Sequence, residues 1–501
     1  MQRRFIPITL LAALASLTAV LVSCQRESAI DAAPPAKAPK PATTAKQAKS
    51  ADAFVNTVCV NTHWRYPDTP YGSNFNGVKQ KLLELGIRHI RDGGSSDDFI
   101  NKSKQLARLG IKTTLGVDPK IGIAPNSSYW AQSPAYNIHD FVKNKMGTNV
   151  VDAVEVLNEI DLFHNQHGGY YWKRGNLQKV NDDPKSPSSW VAYARSVTKD
   201  TWNALKRDPA TAGVKVIGPS LGRHYDYDNK SPLGNLSAYV DWGNFHPYPH
   251  GGNPFNEPFS YNTIAKYYWQ GNFPSVNIDR NPIAFDVFKP PFGSKPMAAT
   301  ETGYFTGTEN NRAITERVHG KYIPRLFLEY FRKGIVRTCL YEFVDEWNNP
   351  GWSEANYGLL RNNLSPKPGY TALKNLIGLL KDPGKSFTPS GLDYKLTFNP
   401  PRGYERTEYV HDLLLQKRNG DFYLVLWHEI SNGDTSGDRF REINPPAMPT
   451  TITFKKPPSR VTLYTLDDLG RMSAKAATVN NNKLSLKVAD KAMVIKLTQV
   501  K

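Results

Sequence analysis

Gly77-Val-Lys-Gln-Lys-Leu-Leu-Glu-Leu-Gly86, followed at once by Ile87-Arg-His-Ile-Arg91, reads as one helix running into one strand. Val78, Leu82, Leu83 and Leu85 recur at helical spacing as an apolar stripe, and Gly86 supplies the stop. From Ala51 to about Lys381 the same alternation of periodic segment and short β-branched run repeats, which argues for an α/β architecture with a mainly parallel sheet. Eight runs can be counted: Val55 to Asn61, Ile87 to Arg91, Ile111 to Val117, Ala153 to Leu157, Val214 to Ile217, Trp242 to His246, Pro296 to Thr300 and Val336 to Phe343. Eight strand-plus-helix units predict a closed (β/α)8, or TIM, barrel over residues 51–383. The rival is an open doubly wound sheet. It normally carries a Gly-rich phosphate loop after its first strand, and Asn61-Thr-His-Trp-Arg-Tyr66 has no such pattern.

Beyond Lys381 the text changes. Tyr394-Lys-Leu-Thr-Phe398, Asp412-Leu-Leu-Leu-Gln-Lys417, Phe422-Tyr-Leu-Val-Leu-Trp427, Thr451-Ile-Thr-Phe454, Arg460-Val-Thr-Leu-Tyr464 and Leu484-Ser-Leu-Lys-Val488 alternate apolar and polar residues between Gly, Asn, Asp and Pro turns. They predict an all-β sandwich over residues 384–501. A length of 501 residues exceeds what one core usually organises, so two domains fit it.

The N-terminus reads as an export signal, with Arg3 and Arg4 before an apolar stretch from Phe5 to Val22. Leu21-Val-Ser-Cys24 resembles a bacterial lipobox, which implies removal of residues 1–23 and a lipid on Cys24; Gln25 weakly resembles the sorting of outer-membrane lipoproteins. An exported protein, lipid-anchored at the periplasmic or cell-surface side, is the expectation. Residues 24–50 are rich in Ala, Pro, Lys, Thr and Ser and are expected to be a disordered tether. Cys59 and Cys339 fall in the first and last barrel strands, neighbours once the barrel closes; two buried free thiols are the expectation and a bridge the alternative.

The charge of +18 is scattered rather than gathered into a stripe, and no nucleic-acid motif accompanies it. Such a field favours anionic partners such as acidic polysaccharide or lipopolysaccharide, unless it is general surface charge. The 22 Phe, 25 Tyr and 10 Trp suit ligands with apolar faces and hydroxyls, as sugars have, although core packing claims most of them.

In such a barrel the reactive groups sit where strands end and βα loops begin. Strand four ends in Val154-Glu-Val-Leu-Asn158-Glu159-Ile-Asp161 and strand seven in Ala298-Ala-Thr-Glu301-Thr-Gly-Tyr304. Each puts a glutamate straight after an apolar run, where a buried carboxylate is costly unless it meets a partner or ligand. Two carboxyl groups at one mouth are the apparatus of glycoside hydrolysis, one protonating the leaving oxygen and one supporting the anomeric carbon.

Asn158-Glu159, Glu301, His246-Pro-Tyr248 and the aromatic-acidic end of strand eight together resemble clan A of the glycoside hydrolases, with families 39 and 5 nearest. The resemblance covers about residues 52 to 381, and it departs at Ile160, where the clan often has proline. It implies a retaining enzyme with Glu159 as acid and base, Glu301 as nucleophile and Asn158 on the sugar 2-hydroxyl. It also implies that Arg91 holds the nucleophile ionised, with Arg88 the competing candidate on the opposite strand face. Tyr248 is expected to donate to Glu301, and His246 to line the sugar pocket unless it is structural.

Tyr341-Glu342-Phe-Val-Asp345-Glu346-Trp347 resembles the clan's aromatic platform, with Trp347 the expected ring. Glu342 reads as a sugar-binding carboxylate or the partner of an inward arginine, and His63 and Trp64 as further ligand contacts or loop packing. No metal or other cofactor is expected: His164 and His167 lack a completing Cys or carboxylate cluster. The inserts Gln166 to Pro187 and Pro249 to Pro291 are expected to shape the cleft. The carbohydrate-active readings are a retaining hydrolase, a transglycosylase using the same intermediate, and a catalytically silent binding lipoprotein. A metal-dependent hydrolase or isomerase would need more strand-end histidines.

Overall fold

The computed structural model describes residues 45–117, 137–164, 170–173, 176–183, 185–222, 232–249 and 288–500. The expected signal, Cys24, His167 and most of the second insert lie outside these residues.

Eight parallel strands make the barrel. They are β1 (Val58–Asn61), β2 (His89–Asp92), β3 (Lys112–Val117), β4 (Val151–Val156), β5 (Lys215–Ile217), β6 (Gly243–Phe245), β7 (Met297–Thr302) and β8 (Arg337–Leu340). Their order is β6-β7-β8-β1-β2-β3-β4-β5. Ile217 bridges Trp242, and the Gly218 N–H donates to the Trp242 carbonyl at 2.9 Å, which joins the two ends of that order.

The strand boundaries lie within two residues of the expected ones, except at the eighth, which ends at Leu340 rather than Phe343, and at the first. Ser50 caps a helix, α1 (Ala51–Thr57), by accepting from the Ala53 N–H, and Asp52 sits in its first turn. Val55 and Thr57, expected in strand one, are therefore helical, and β1 begins at Val58. Capping and burial of Phe54 and Val55 outweigh β-branched propensity here. The quoted periodic segment is helix α2 (Phe75–Leu85), which buries Val78, Leu82 and Leu85 and ends at Gly86 with φ 82°. Helices α3 (Asp97–Arg108), α4 (Trp190–Lys206), α5 (Glu316–Arg332) and α6 (Pro368–Leu380) follow, and none of the described helices is long and apolar enough to cross a membrane.

The C-terminal region is antiparallel. A three-stranded sheet joins β9 (Tyr394–Phe398), β12 (Met448–Phe454) and β15 (Lys483–Val488). A larger one runs β10 (Val410–Gln416), β11 (Phe422–His428), β16 (Met493–Val500), β13 (Pro458–Leu466) and β14 (Met472–Ala477). Leu414, Leu424, Ile452, Leu484 and Ile495 pack between the sheets, while Leu413, Tyr423, Val425 and Trp427 join the barrel's own core.

Two expectations are corrected. The end of the presumed tether is ordered: Lys46–Gln47 pairs with Gly391–Leu392 and Lys49–Ser50 runs parallel to Leu415–Gln416, because the edge of β10 offers unpaired backbone groups. Cys59 and Cys339 are not free thiols but a disulfide, since β1 and β8 are parallel and pair these two residues in register with Cα atoms 4.1 Å apart.

Helix α5 faces both domains, and every residue from Val318 to Phe331 is buried. Its charged groups are matched by the sandwich. Arg325 donates to both Glu429 oxygens, at 2.6 and 3.2 Å, and to Asn432 at 2.9 Å. Lys321 pairs with Asp490 at 2.9 Å, and Glu329 meets His411 at 2.7 Å.

Candidate active site

At the end of β4 the chain twists sharply. Leu157 and Glu159 both hold positive φ, 64° and 45°, an uncommon conformation for residues other than glycine. It is fixed by backbone bonds to β3 and to the segment after β5: Leu157 N–H to the Val117 carbonyl, and Glu159 N–H to Ser220. The turn leaves Glu159 at the barrel mouth, and Glu301 arrives from β7.

Arg91 on β2 organises the floor. All five of its N–H donors find acceptors: Nε and Nη2 take Glu155 at 2.5 and 3.0 Å, Nη1 takes Glu301 at 2.5 Å and Asn61 at 3.2 Å, and Nη2 also takes Asn158 at 2.7 Å. Arg88, three residues earlier, points the other way and forks onto Asp52.

The second oxygen of Glu301 accepts from the Tyr248 hydroxyl at 2.8 Å. His246 sits between the glutamates, its Nδ1 2.8 Å from Glu159 and 3.7 Å from Glu301, and its Nε2 2.9 Å from the Thr300 hydroxyl. Carboxylate oxygens of Glu159 and Glu301 and a ring nitrogen of His246 all lie within 4.8 Å of one another.

Burial works to raise the Glu301 carboxyl, but the charges of His246 and Arg91 outweigh it and hold the group below its ordinary value. Glu155 is likewise lowered against its burial, chiefly by Arg91. Burial opposes protonation of His246, yet Glu301 and the contacts to Glu155 and Glu159 push its pKa up to about 10. The arrangement therefore keeps Glu301 ionised and His246 cationic at neutral pH.

No protein-family model matches the chain, and no curated protein matches it significantly. Among solved structures, a family 39 glycoside hydrolase from the gut symbiont Bacteroides cellulosilyticus WH2 is similar over 90% of this chain and 82% of its own, with a TM-score of 0.51 and 16% identity. That likeness establishes the fold. A glucosidase from Croceicoccus marinus has a TM-score of 0.49 at 10% identity, over 84% of this chain and 92% of its own. The catalytic domain of GH30 xylanase C from Talaromyces cellulolyticus has one of 0.46 at 13% identity, over 91% and 98%.

The structure thus brings together Asn158, Glu159, His246, Tyr248, Glu301 and Arg91, and gives the other expected residues partners of their own. His246 is only 2% exposed, so it backs the carboxylates rather than lining a sugar pocket. Trp347 leans on Trp352, with centroids 5.0 Å apart, over a hollow shared with Thr306, Glu316 and Arg361. Asp345, pinned by Lys367 and the Gly358 N–H at 2.8 Å each, turns the chain away beforehand. Around Tyr248, the ring that touches Glu301, stand Tyr357 at 5.8 Å and Tyr341 at 6.3 Å between centroids.

Trp64 is a core residue, 1% exposed and edge-on to Tyr71 and Phe75. Glu342 is fully buried and has no ion pair to arginine among the described residues: it accepts from Tyr71 at 3.1 Å and lies 3.3 Å from His63, which in turn sits 2.5 Å from Glu346. Burial, against the pull of His63, raises Glu342 to about 8. His164 is 2% exposed and meets Asp182 at 3.2 Å.

Sequence reasoning missed Glu155 and Asn61, which accept from Arg91, Thr300, which meets His246, and Asn244, which bonds Glu155 and Thr300. Glu155 had a signal: a carboxylate inside the otherwise apolar run Ala153-Val-Glu-Val-Leu157 needs a buried partner.

Proposed function

We propose that this chain is a glycoside hydrolase that cleaves with retention of configuration. The observation that carries the reading is the pair Glu159 and Glu301, whose oxygens approach within 4.8 Å at the barrel mouth. That spacing suits direct attack by a carboxylate on the anomeric carbon better than the wider gap needed to activate an intervening water. Glu301, kept ionised by Arg91 and His246 and aimed by Tyr248, is the nucleophile of the first displacement. Glu159 protonates the departing oxygen, then removes a proton from the water that releases the sugar. Asn158, held by Arg91, is placed to bond the 2-hydroxyl, and Tyr341 to carry the apolar sugar face.

The test is a panel of neutral and acidic polysaccharides incubated with purified protein, with product sizing and anomeric NMR at early times. Products retaining the substrate's configuration, and their loss in Glu301→Ala, are expected. Inverted products, or activity surviving that substitution, would remove the assignment. Export with lipidation at Cys24 belongs to the same reading, and a disulfide between Cys59 and Cys339 suits an oxidising compartment. Radiolabelled fatty acid incorporated by the full chain but not by Cys24→Ala is the expected result; label in both would refute it.

A further inference from the structure

We propose that His63, Glu342 and Glu346 form a binding site for one divalent cation of the zinc or manganese class, in the cleft wall where β1 and β8 end. His63 Nδ1 faces both carboxylates, 2.5 Å from Glu346 and 3.3 Å from Glu342, and one ligand atom from each residue lies within 4.8 Å of the others. Imidazole nitrogen with two carboxylate oxygens is a donor set suited to such ions, and three protein ligands leave a position for water.

Two further observations point to an occupant. Glu342 is fully buried and its Oε1 has no hydrogen-bond partner among the described residues, while Tyr71 holds the other oxygen. A desolvated carboxylate oxygen left unmet is costly. The second concerns charge. Among the described residues there are three such His-carboxylate clusters, and in the other two an arginine meets a member: Arg91 on Glu301, and Arg325 on Glu429. Among the described residues neither Glu342 nor Glu346 has an ion pair to Lys or Arg, so a lone imidazole faces two buried carboxyl groups. The His63 side chain is 15% exposed, which gives an ion a way in. Bound there, the cation ties the end of β1 to the end of β8 beside Tyr341, whose ring lies 5.6 Å from that of His63.

The experiment uses the full chain stripped with chelator, then dialysed to equilibrium against Zn2+ or Mn2+ and assayed by elemental analysis. The wild type should bind one equivalent of one of these ions, and H63Q and E346Q should each weaken it at least about tenfold. H246Q should bind as the wild type does. A metal-dependent rise in Tm for the wild type, absent in both site variants, is the second readout. Absence of stoichiometric binding, undiminished binding by both site variants, or loss of binding in H246Q would overturn the proposal, and none of these outcomes depends on which glycan the protein acts on.

Discussion

Two buried arginines each fork onto a glutamate and bond an asparagine, yet they serve opposite ends. Arg325 and Glu429 are both fully buried at the seam between barrel and sandwich. Arg91 sits at the barrel mouth, where Glu301 keeps 9% exposure and Glu159 is half-buried. In the seam the charges end on one another; at the mouth the same chemistry stops short and leaves carboxylate edges facing the cleft. A buried ion pair is thus structural or functional according to whether its surroundings close over it.

The sharpest way to break this contrast is to delete one glutamate from the mouth. Glu301→Ala should cost on the order of 10^4-fold in kcat/KM while Tm moves only a few degrees. A collapse in Tm would put Glu301 in the same class as Glu429. Next in size, Arg325→Ala leaves Glu429 buried without its cation and should cost about 3–5 kcal/mol in urea unfolding, with activity per folded molecule retained. A change within experimental error would mean that the seam does not hold the domains together.

Glu159→Ala should lose roughly 10^2 to 10^4-fold on substrates with poor leaving groups and much less on activated aryl glycosides. Equal losses on both would argue against proton donation. The smallest effect is a pH dependence. With its pKa raised to about 10 in the fold, His246 contributes stability that is fully present below its ordinary 6.5 and is lost as pH rises through about 10. His246→Gln should therefore flatten the decline in Tm across that window. An unchanged slope would show that the imidazole is neutral. Glu301 acts at the other end: its lowered pKa contributes stability above the ordinary 4.5, lost as pH falls through the folded value.

Much of this was legible from residues alone where the signal was periodic. The alternation from Ala51 to Lys381 located all eight strands, and the turn-bounded runs after it located six of the C-terminal ones. Strand-end position singled out Glu159 and Glu301, and odd spacing separated Arg91 from Arg88, because alternation is a property of the backbone itself. The directions of Trp347, which leans on Trp352, and of Trp64, which is buried in the core, were not legible for the opposite reason. Both follow the last residue of a strand, where no period constrains direction, and Asp345 and the Asp92 carboxylate, which accepts from the Trp64 N–H, decided their course.

Local sequence by itself determined the order of helices and strands and which carboxylates emerge at the strand ends, since those follow from short-range spacing and propensity. Only the tertiary structure decided that Glu155 joins Arg91, that Cys59 meets Cys339, that Lys49 and Ser50 pair with the sandwich edge, and that Tyr341 stands by Tyr248. Each depends on groups far apart in the chain meeting at low dielectric, where the partner, not the residue, sets the energy.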